Sequence, residues 1–449
     1  MTTPGPSTAL LTDEYELTML RAALRDGTAH RQAVFEVFAR RLPSGRRYGV
    51  VAGTGRLLDA LARFRFDGAA LEWLASRGIL DQATYDFLAN YRFSGSIWGY
   101  GEGDLYFPGS PILTVRSTFA EAVILETLCL SIFNYDSAVA SAASRMTLMA
   151  EDRPCIEMGA RRAHEEAAVA AARAAYIAGF ANTSDLEAGR RWGIPTAGTA
   201  AHAFTLLHDQ EEDAFRSQLA TLGEDTTLLV DTYDIEQAVR TGVRLTEGRL
   251  GAVRIDSGDL IETARQVRAL LDDLGATQTR IIVTSDLDEW QIAALSGTPV
   301  NGYGVGTALV TGSGHPTCSF VYKLVARATS TDPAAALEPV AKRSFHKSSV
   351  GGQKYALRRL GAQGLAEAEL VGVGREPATT GFHDRSLLLQ LVDHGDIVGV
   401  EPIAAARQRH AQARDELPRD GFKMSRGGPA VPTYFLDADG QFLPSPYGS

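Results

Sequence analysis

Gly251-Ala252-Val253-Arg254-Ile255-Asp256-Ser257-Gly258-Asp259 is a brief apolar strand that delivers a guanidinium, a carboxylate and a hydroxyl before a glycine breaks it. The same form recurs on both sides, at residues 155–158, 175–179, 196–199, 227–231, 280–284 and 302–306, each run followed by a helical or loop crossover. Strands alternating with crossovers imply a parallel sheet covered by helices. Roughly seven strands in about 150 residues is compressed beside the about 250 residues of a complete eightfold barrel, so the expected fold is α/β, an irregular (β/α) barrel. A doubly wound open sheet would also gather its strand ends, so the pattern supports a site more strongly than it supports closure.

Active sites of such barrels are built at the carboxyl ends of the strands. Those ends carry Arg161 and Arg162, then Asn182, Thr183 and Ser184, then His202, Asp231 with Asp234, Asp256 with Asp259, Asp286, and Gly306 with Thr307. In Gly198-Thr199-Ala200-Ala201-His202-Ala203-Phe204 a small-residue turn leaves one imidazole exposed and orientable, although His202 also suits a cap for a helix starting at Ala203. Arg254 suits phosphate oxygens through paired N–H donors, and Asp256 can accept the two hydroxyls of a ribose. The structural alternative is a strand end followed by a helix capped at Ser257. The spaced glycines of residues 302–312 can offer backbone N–H groups to an anion at a helix start.

The composition bounds what this site can serve. With 449 residues, 45% hydrophobic and 22% charged, the chain is long enough for two or three domains with sizeable cores. A net charge of −10 and a pI near 5.5 exclude a general nucleic-acid binder and leave small anionic ligands admissible. The N-terminus has no basic stretch leading into an apolar core, and no segment is an uninterrupted apolar run of roughly 18 residues, so a cytoplasmic protein is expected. Cys129, Cys155 and Cys318 are an odd number without a close pair, which suggests neither a disulfide framework nor a zinc site.

Both chain ends read as α+β. Thr12 or Asp13 can cap a helix carrying Leu17, Leu20 and Leu24, with Tyr15 in its first turn. Strands are expected at residues 32–40, 48–53 and 112–117, and helices over 56–93 and 119–149. Past Gly312 the chain returns to strands at 319–327, 340–343 and 354–358, with a helix over 403–417 and a frayed tail over 444–449. Lys342 and Lys347 are read as solvated surface charges, within reach of a phosphate as the alternative. The expected division is 1–150, 151–318 with the site, and 319–449 completing the first domain.

These stretches together resemble the nicotinate phosphoribosyltransferase family. The resemblance rests on Thr12-Asp13-Glu14-Tyr15-Glu16-Leu17-Thr18-Met19, Glu126-Thr127-Leu128 with Asn134-Tyr135, and Gly159-Ala160-Arg161-Arg162-Ala163. It continues through residues 179–184, Gly198-Thr199-Ala200-Ala201-His202, residues 254–259, Gly304-Val305-Gly306-Thr307 and Tyr322-Lys323-Leu324-Val325, in the family's order. Residues 227–234 also resemble the diphosphoribosyl-binding stretch of the other phosphoribosyltransferase class, but the glycine and threonine loop expected after it is absent.

The resemblance implies the barrel of type II phosphoribosyltransferases, joined to an α+β domain built from both chain ends, and a homodimer with sites at the subunit interface. It implies condensation of nicotinate with 5-phosphoribosyl 1-pyrophosphate to nicotinate mononucleotide and pyrophosphate, coupled to ATP hydrolysis and assisted by Mg²⁺. Carried over by position, His202 is the residue phosphorylated by ATP, and Thr199 and Arg254 contact nicotinate. Tyr15 stacks on the ring from the neighbouring subunit, Gly306 and Thr307 hold the phosphoribosyl phosphate, Arg161 meets pyrophosphate and Asp256 the ribose. In relatives that use nicotinamide an aspartate lies about where Ser184 falls here. The alternatives are a quinolinate or nicotinamide phosphoribosyltransferase, or an inactive nucleotide-binding relative. The quinolinate reaction has no need of a phosphorylatable histidine, and an inactive relative should lack one of His202, Arg254 or Asp256.

Overall fold

The computed structural model describes residues 5–342, 349–379, 384–445 and 447. Lys347, Arg343 and three residues of the terminal stretch 444–449 lie outside them. The chain divides into two compact units, Met1–Ala138 with Thr317–Ser449, and Val139–Pro316.

The first unit joins the two chain ends through one strand. Gln32–Ala39 pairs antiparallel with Phe320–Ala328 on one side and Leu113–Thr118 on the other, within a seven-stranded sheet. The strand expected at 340–343 lies earlier, at Leu337–Pro339. Almost every residue of Gln32–Ala39 is buried, so its charged member must be paired: Glu36 accepts from Lys354 Nζ at 2.6 Å. Leu17 and Leu20 of the helix Glu14–Asp26 pack into the same core as Phe35, Val37, Leu57, Leu61 and Phe64. Burying each such side chain contributes about 1.5–3 kcal/mol. The region expected to be helical over 56–93 forms three helices, Thr54–Ala62, Gly68–Ser76 and Gln82–Ala89. A second, five-stranded sheet holds Lys354–Leu360, where Arg358 is buried between the carboxylates of Asp104 (3.1 Å) and Glu369 (2.6 Å). Among the described residues one helical stretch, Phe119–Ala150, is apolar and long enough to cross a membrane; 67% of its most apolar window is buried, as in a core helix.

The second unit is built on six parallel strands: β1 Cys155–Glu157, β2 Asn182–Thr183, β3 Thr227–Leu229, β4 Ala252–Ile255, β5 Arg280–Val283 and β6 Gly302–Val305. Their order is β2-β1-β6-β5-β4-β3. The first strand therefore pairs with the last and chain order runs around the sheet, which a barrel requires and a doubly wound sheet does not. The break falls between β2 and β3, giving a half-barrel. Val253, Ile255, Ile281, Val283 and Val305 are fully buried, on the face opposite the alternating residues Ala252, Arg254, Ile282, Thr284 and Gly304 that line the cleft.

Two expected strands are corrected. Residues 175–179 end the helix Glu165–Ile177, because the alanine-rich run Ala167 to Ala175 has the highest intrinsic helix preference and buries its small face. The strand there comes later, as β2. Residues 196–199 reach the sheet only at Thr196, which bridges Thr183. Pro195 lends its carbonyl to the Thr183 N–H at 3.0 Å but has no N–H of its own to extend the ladder.

Candidate active site

A cleft of about 750 Å³ runs along the inner face of the six strands to their carboxyl ends, where it is lined by Arg161, Ser184, Thr199, Arg254, Asp256, Gly306 and Thr307, together with Met158, Ser285 and Asp286. The strand geometry thus brings together ten of the residues singled out from sequence, Arg162, Asn182 and Asp286 with the seven named first. His202 stands beside the lining residues Ala200 and Ala201. Tyr15 belongs to the first unit, in the first turn of Glu14–Asp26, and is 45% exposed. Met158, Ile156 and Ile282 make the lining partly apolar, and Gly304 lets the wall approach closely: a Cβ there would lie 2.5 Å from Thr284 Cγ2 and 2.7 Å from Met158 Sδ.

His202 does not cap a helix. It is the first residue of His202–Leu206, whose cap position is Ala201 with no side-chain hydrogen bond. Its Nε2 instead lies 3.1 Å from Oδ1 of Asp231, just past β3. Asp231 is named from sequence only as one of the acids at the strand ends, with no role of its own and no link to His202. Its side chain is 1% exposed, and its other oxygen accepts from Ser257 Oγ at 2.6 Å and from the Asp256 N–H at 2.9 Å. Burial alone would push this carboxyl up; the hydrogen bonds from Ser257, the Asp256 N–H and His202 outweigh it and hold the group below the usual range. Ser257 is accordingly not the helix cap. That role falls to Asp259, which accepts from the N–H groups of Ile261 and Glu262.

Three adjoining residues at the end of β2 separate cleanly by role. Thr183 is buried and donates to the Glu157 carboxylate, Asp185 caps the helix Leu186–Trp192 through the Ala188 N–H at 2.8 Å, and Ser184 is left exposed on the cleft wall. Glu157, another residue without a sequence signal, also accepts from the Gly159 N–H. It thereby ties the turn Ala160–Arg162 to the strand end that bears Ser184. Burial pushes its carboxyl up against these two hydrogen bonds.

The cleft is set for anions. Arg254 donates to Thr199 Oγ1 at 3.3 Å, while its buried Nε has no hydrogen-bond partner among the described residues. Burial pushes its guanidinium down, opposed by Asp256 and Asp231 and reinforced by Arg161. An unfilled donor on a desolvated cation, with a second cation near, is relieved by a carboxylate or phosphate ligand. Asp256 accepts from Thr284 Oγ1, which fixes the carboxylate at the mouth. Gly306 precedes the single-turn helix Thr307–Val310, so this end supplies backbone N–H groups and a hydroxyl with little dipole. Ser285, after β5, has a φ of +111°, a conformation that costs a non-glycine residue about 1–3 kcal/mol.

Comparison with known proteins places this geometry. Residues 10–134 match the model of the nicotinate phosphoribosyltransferase (NAPRTase) N-terminal domain. Over 438 residues the chain is 59% identical to a nicotinate phosphoribosyltransferase of Mycobacterium tuberculosis, covering 96% of this chain and 95% of that protein. Its fold is similar to the crystal structure of human nicotinic acid phosphoribosyltransferase, with a TM-score of 0.80 at 24% identity over 95% of this chain and 97% of that one. It is also similar to nicotinate-nucleotide pyrophosphorylase from Pyrococcus furiosus, with a TM-score of 0.75 at 21% identity over 91% and 95% of the two chains. One fold serves proteins of both names, so fold alone does not choose the reaction.

Proposed function

Because this chain belongs to the nicotinate phosphoribosyltransferase family, we propose that its cleft joins nicotinate to 5-phosphoribosyl 1-pyrophosphate by an ATP-coupled route through a phosphohistidine at His202. The enzyme is a nicotinate phosphoribosyltransferase of NAD salvage; the coupling and the residue roles are our reading. The contact between His202 and Asp231 carries it. An acceptor on Nε2 selects the tautomer with its proton there and leaves Nδ1 as a lone pair able to attack the γ-phosphate of ATP. The tautomer is thus assigned from the hydrogen-bond partner. Once Nδ1 carries a phosphoryl group the ring is cationic, and the ionised Asp231 stabilises it.

In the transfer step the bond from ribose C1 to pyrophosphate breaks, the sugar gains positive charge and the leaving group gains negative charge, and the ring nitrogen of nicotinate bonds to C1. Arg161 meets the departing pyrophosphate and Asp256 holds the ribose hydroxyls. Gly306 and Thr307 receive the 5′-phosphate, while Arg254 and Thr199 face the nicotinate carboxylate. Bound Mg²⁺ would neutralise the pyrophosphate charge. It prefers oxygen ligands and takes one or two carboxylates beside substrate phosphates; Asp256 and Asp286 on the cleft wall fit that need, and no three His, Cys, Asp or Glu side chains cluster among the described residues.

The enzyme is proposed to act as a homodimer, with Tyr15 of one copy stacking on the ring bound by the other. Exposed Leu186 and Tyr233, a few residues past the ends of β2 and β3, and exposed Leu206 and Leu207 at the end of the helix begun by His202 support a covering partner, as does the exposure of Tyr15 itself. A cytoplasmic location is supported by three cysteines that are buried free thiols. The test is labelling with γ-³²P-ATP and Mg²⁺. Acid-labile, alkali-stable label in the wild type, absent from His202→Ala, is expected; label retained by that variant sinks the assignment.

A further inference from the structure

We propose that Ser285 is a substrate-binding residue whose hydroxyl donates to the 5′-phosphate of the phosphoribosyl group. The inference rests on the transferase reading above and adds a residue to it. A glycine would accept φ +111° without strain, whereas serine accepts it at a cost in stability and adds one hydroxyl. That hydroxyl is on the cleft wall and exposed, and among the described residues it makes no hydrogen bond.

The turn is clamped on both sides. The Thr284 N–H donates to the Ile255 carbonyl at 2.9 Å and its Oγ1 to Asp256, while the Leu287 N–H donates to the Ser285 carbonyl at 2.7 Å. Ser285 is therefore held in place before a ligand arrives, which lowers the ordering cost of binding. Its position is beside the residues assigned to the phosphate and away from the pyridine end. Strand β5 lies between β4, which Asp256 follows, and β6, which Gly306 and Thr307 follow. The Arg254–Thr199 contact, facing the pyridine end, belongs to the opposite flank of β4, toward the break in the sheet.

The test compares wild type, Ser285→Ala and Ser285→Gly as full-length protein. Both variants should raise KM for phosphoribosyl pyrophosphate about tenfold, equivalent to about 1.4 kcal/mol, while KM for nicotinate stays within about twofold. Ser285→Gly should also melt at a higher temperature than wild type, since it removes the strain. In direct binding, Ser285→Ala should weaken nicotinate mononucleotide and leave nicotinate riboside unchanged. An unchanged KM for phosphoribosyl pyrophosphate in both variants overturns the proposal. A parallel rise for both substrates, or equal weakening of mononucleotide and riboside, does so as well, by making the turn structural or moving the contact to the ribose. A wild type that forms no mononucleotide would instead overturn the transferase reading itself.

Discussion

Nε2 of His202 lies 3.1 Å from Oδ1 of Asp231, joining the helix that follows one edge of the open sheet to the end of the strand at its other edge. Because Asp231 accepts a hydrogen bond from the Nε2–H, phosphorylation should fall on Nδ1, and ³¹P NMR of the denatured phosphoprotein distinguishes the two isomers. An Nε2 adduct would require this contact to be broken.

Asp231→Asn keeps the shape and removes the charge that supports the cationic phosphorylated ring. Initial rates of phosphohistidine formation should drop by at least about tenfold, or about 1.4 kcal/mol. The carboxyl is held below its ordinary range, so its ionised form and the stability it gives are fully present above about pH 4 and are lost as pH falls through the lowered value. Rates at pH 6 and pH 8 should therefore show no Asp231 step; an Asp231→Asn enzyme phosphorylated at the wild-type rate would reduce this pair to a structural contact.

Asp256→Asn should weaken phosphoribosyl pyrophosphate far more than nicotinate, by about 1.5–3 kcal/mol for a hydrogen bond to a charged group. Titration of each substrate separately checks this. Equal weakening of both would mean that the Thr284–Asp256 contact serves the loop and not the ribose.

Ser184→Asp should lower kcat/KM for nicotinate by at least about tenfold, while nicotinamide is affected less, because a second carboxylate would face the substrate's own. Asp185 is committed to its helix cap and Thr183 to Glu157, so neither can exchange roles with Ser184. Unchanged turnover of nicotinate in Ser184→Asp would shift the reading of the carboxylate to Arg161 or Arg254.

The first unit has its own titration. His410 is buried, donates Nδ1–H to the Gly103 carbonyl at 3.1 Å, and leaves Nε2 without a partner among the described residues. Burial, with Arg414 adding, pushes it down to about 4. Between about pH 6.5 and pH 4 the unfolded chain binds the extra proton, so stability should be complete above that window and fall through it by a few kcal/mol. Urea unfolding across this range checks it, and His410→Gln should flatten the slope.

The half-barrel and its mouth were legible in the sequence because each strand is an apolar run whose polar residues come at one end. Arg254 with Asp256, and Gly306 with Thr307, needed only that direction to converge. What escaped depended on contacts far apart in the chain. Asp231 looks like any acid after a strand until His202 reaches it, and Glu157 like any strand glutamate until Gly159 and Thr183 donate to it. The strand expected at 175–179 failed for a local reason, the helix preference of its alanines. The turn at Ser285 carries no composition signal, since its positive φ is imposed by the clamps on Thr284 and Leu287.

Steady-state product formation with nicotinate, nicotinamide and quinolinate in parallel, each with phosphoribosyl pyrophosphate, Mg²⁺ and with or without ATP, tests the central claim most directly. The predicted result is nicotinate mononucleotide and pyrophosphate from nicotinate, with ATP hydrolysed alongside, stimulated by ATP in the wild type but not in His202→Ala, and much slower turnover of the other two pyridines. Preferred use of quinolinate with release of carbon dioxide, or turnover of nicotinate indifferent to ATP, would contradict it.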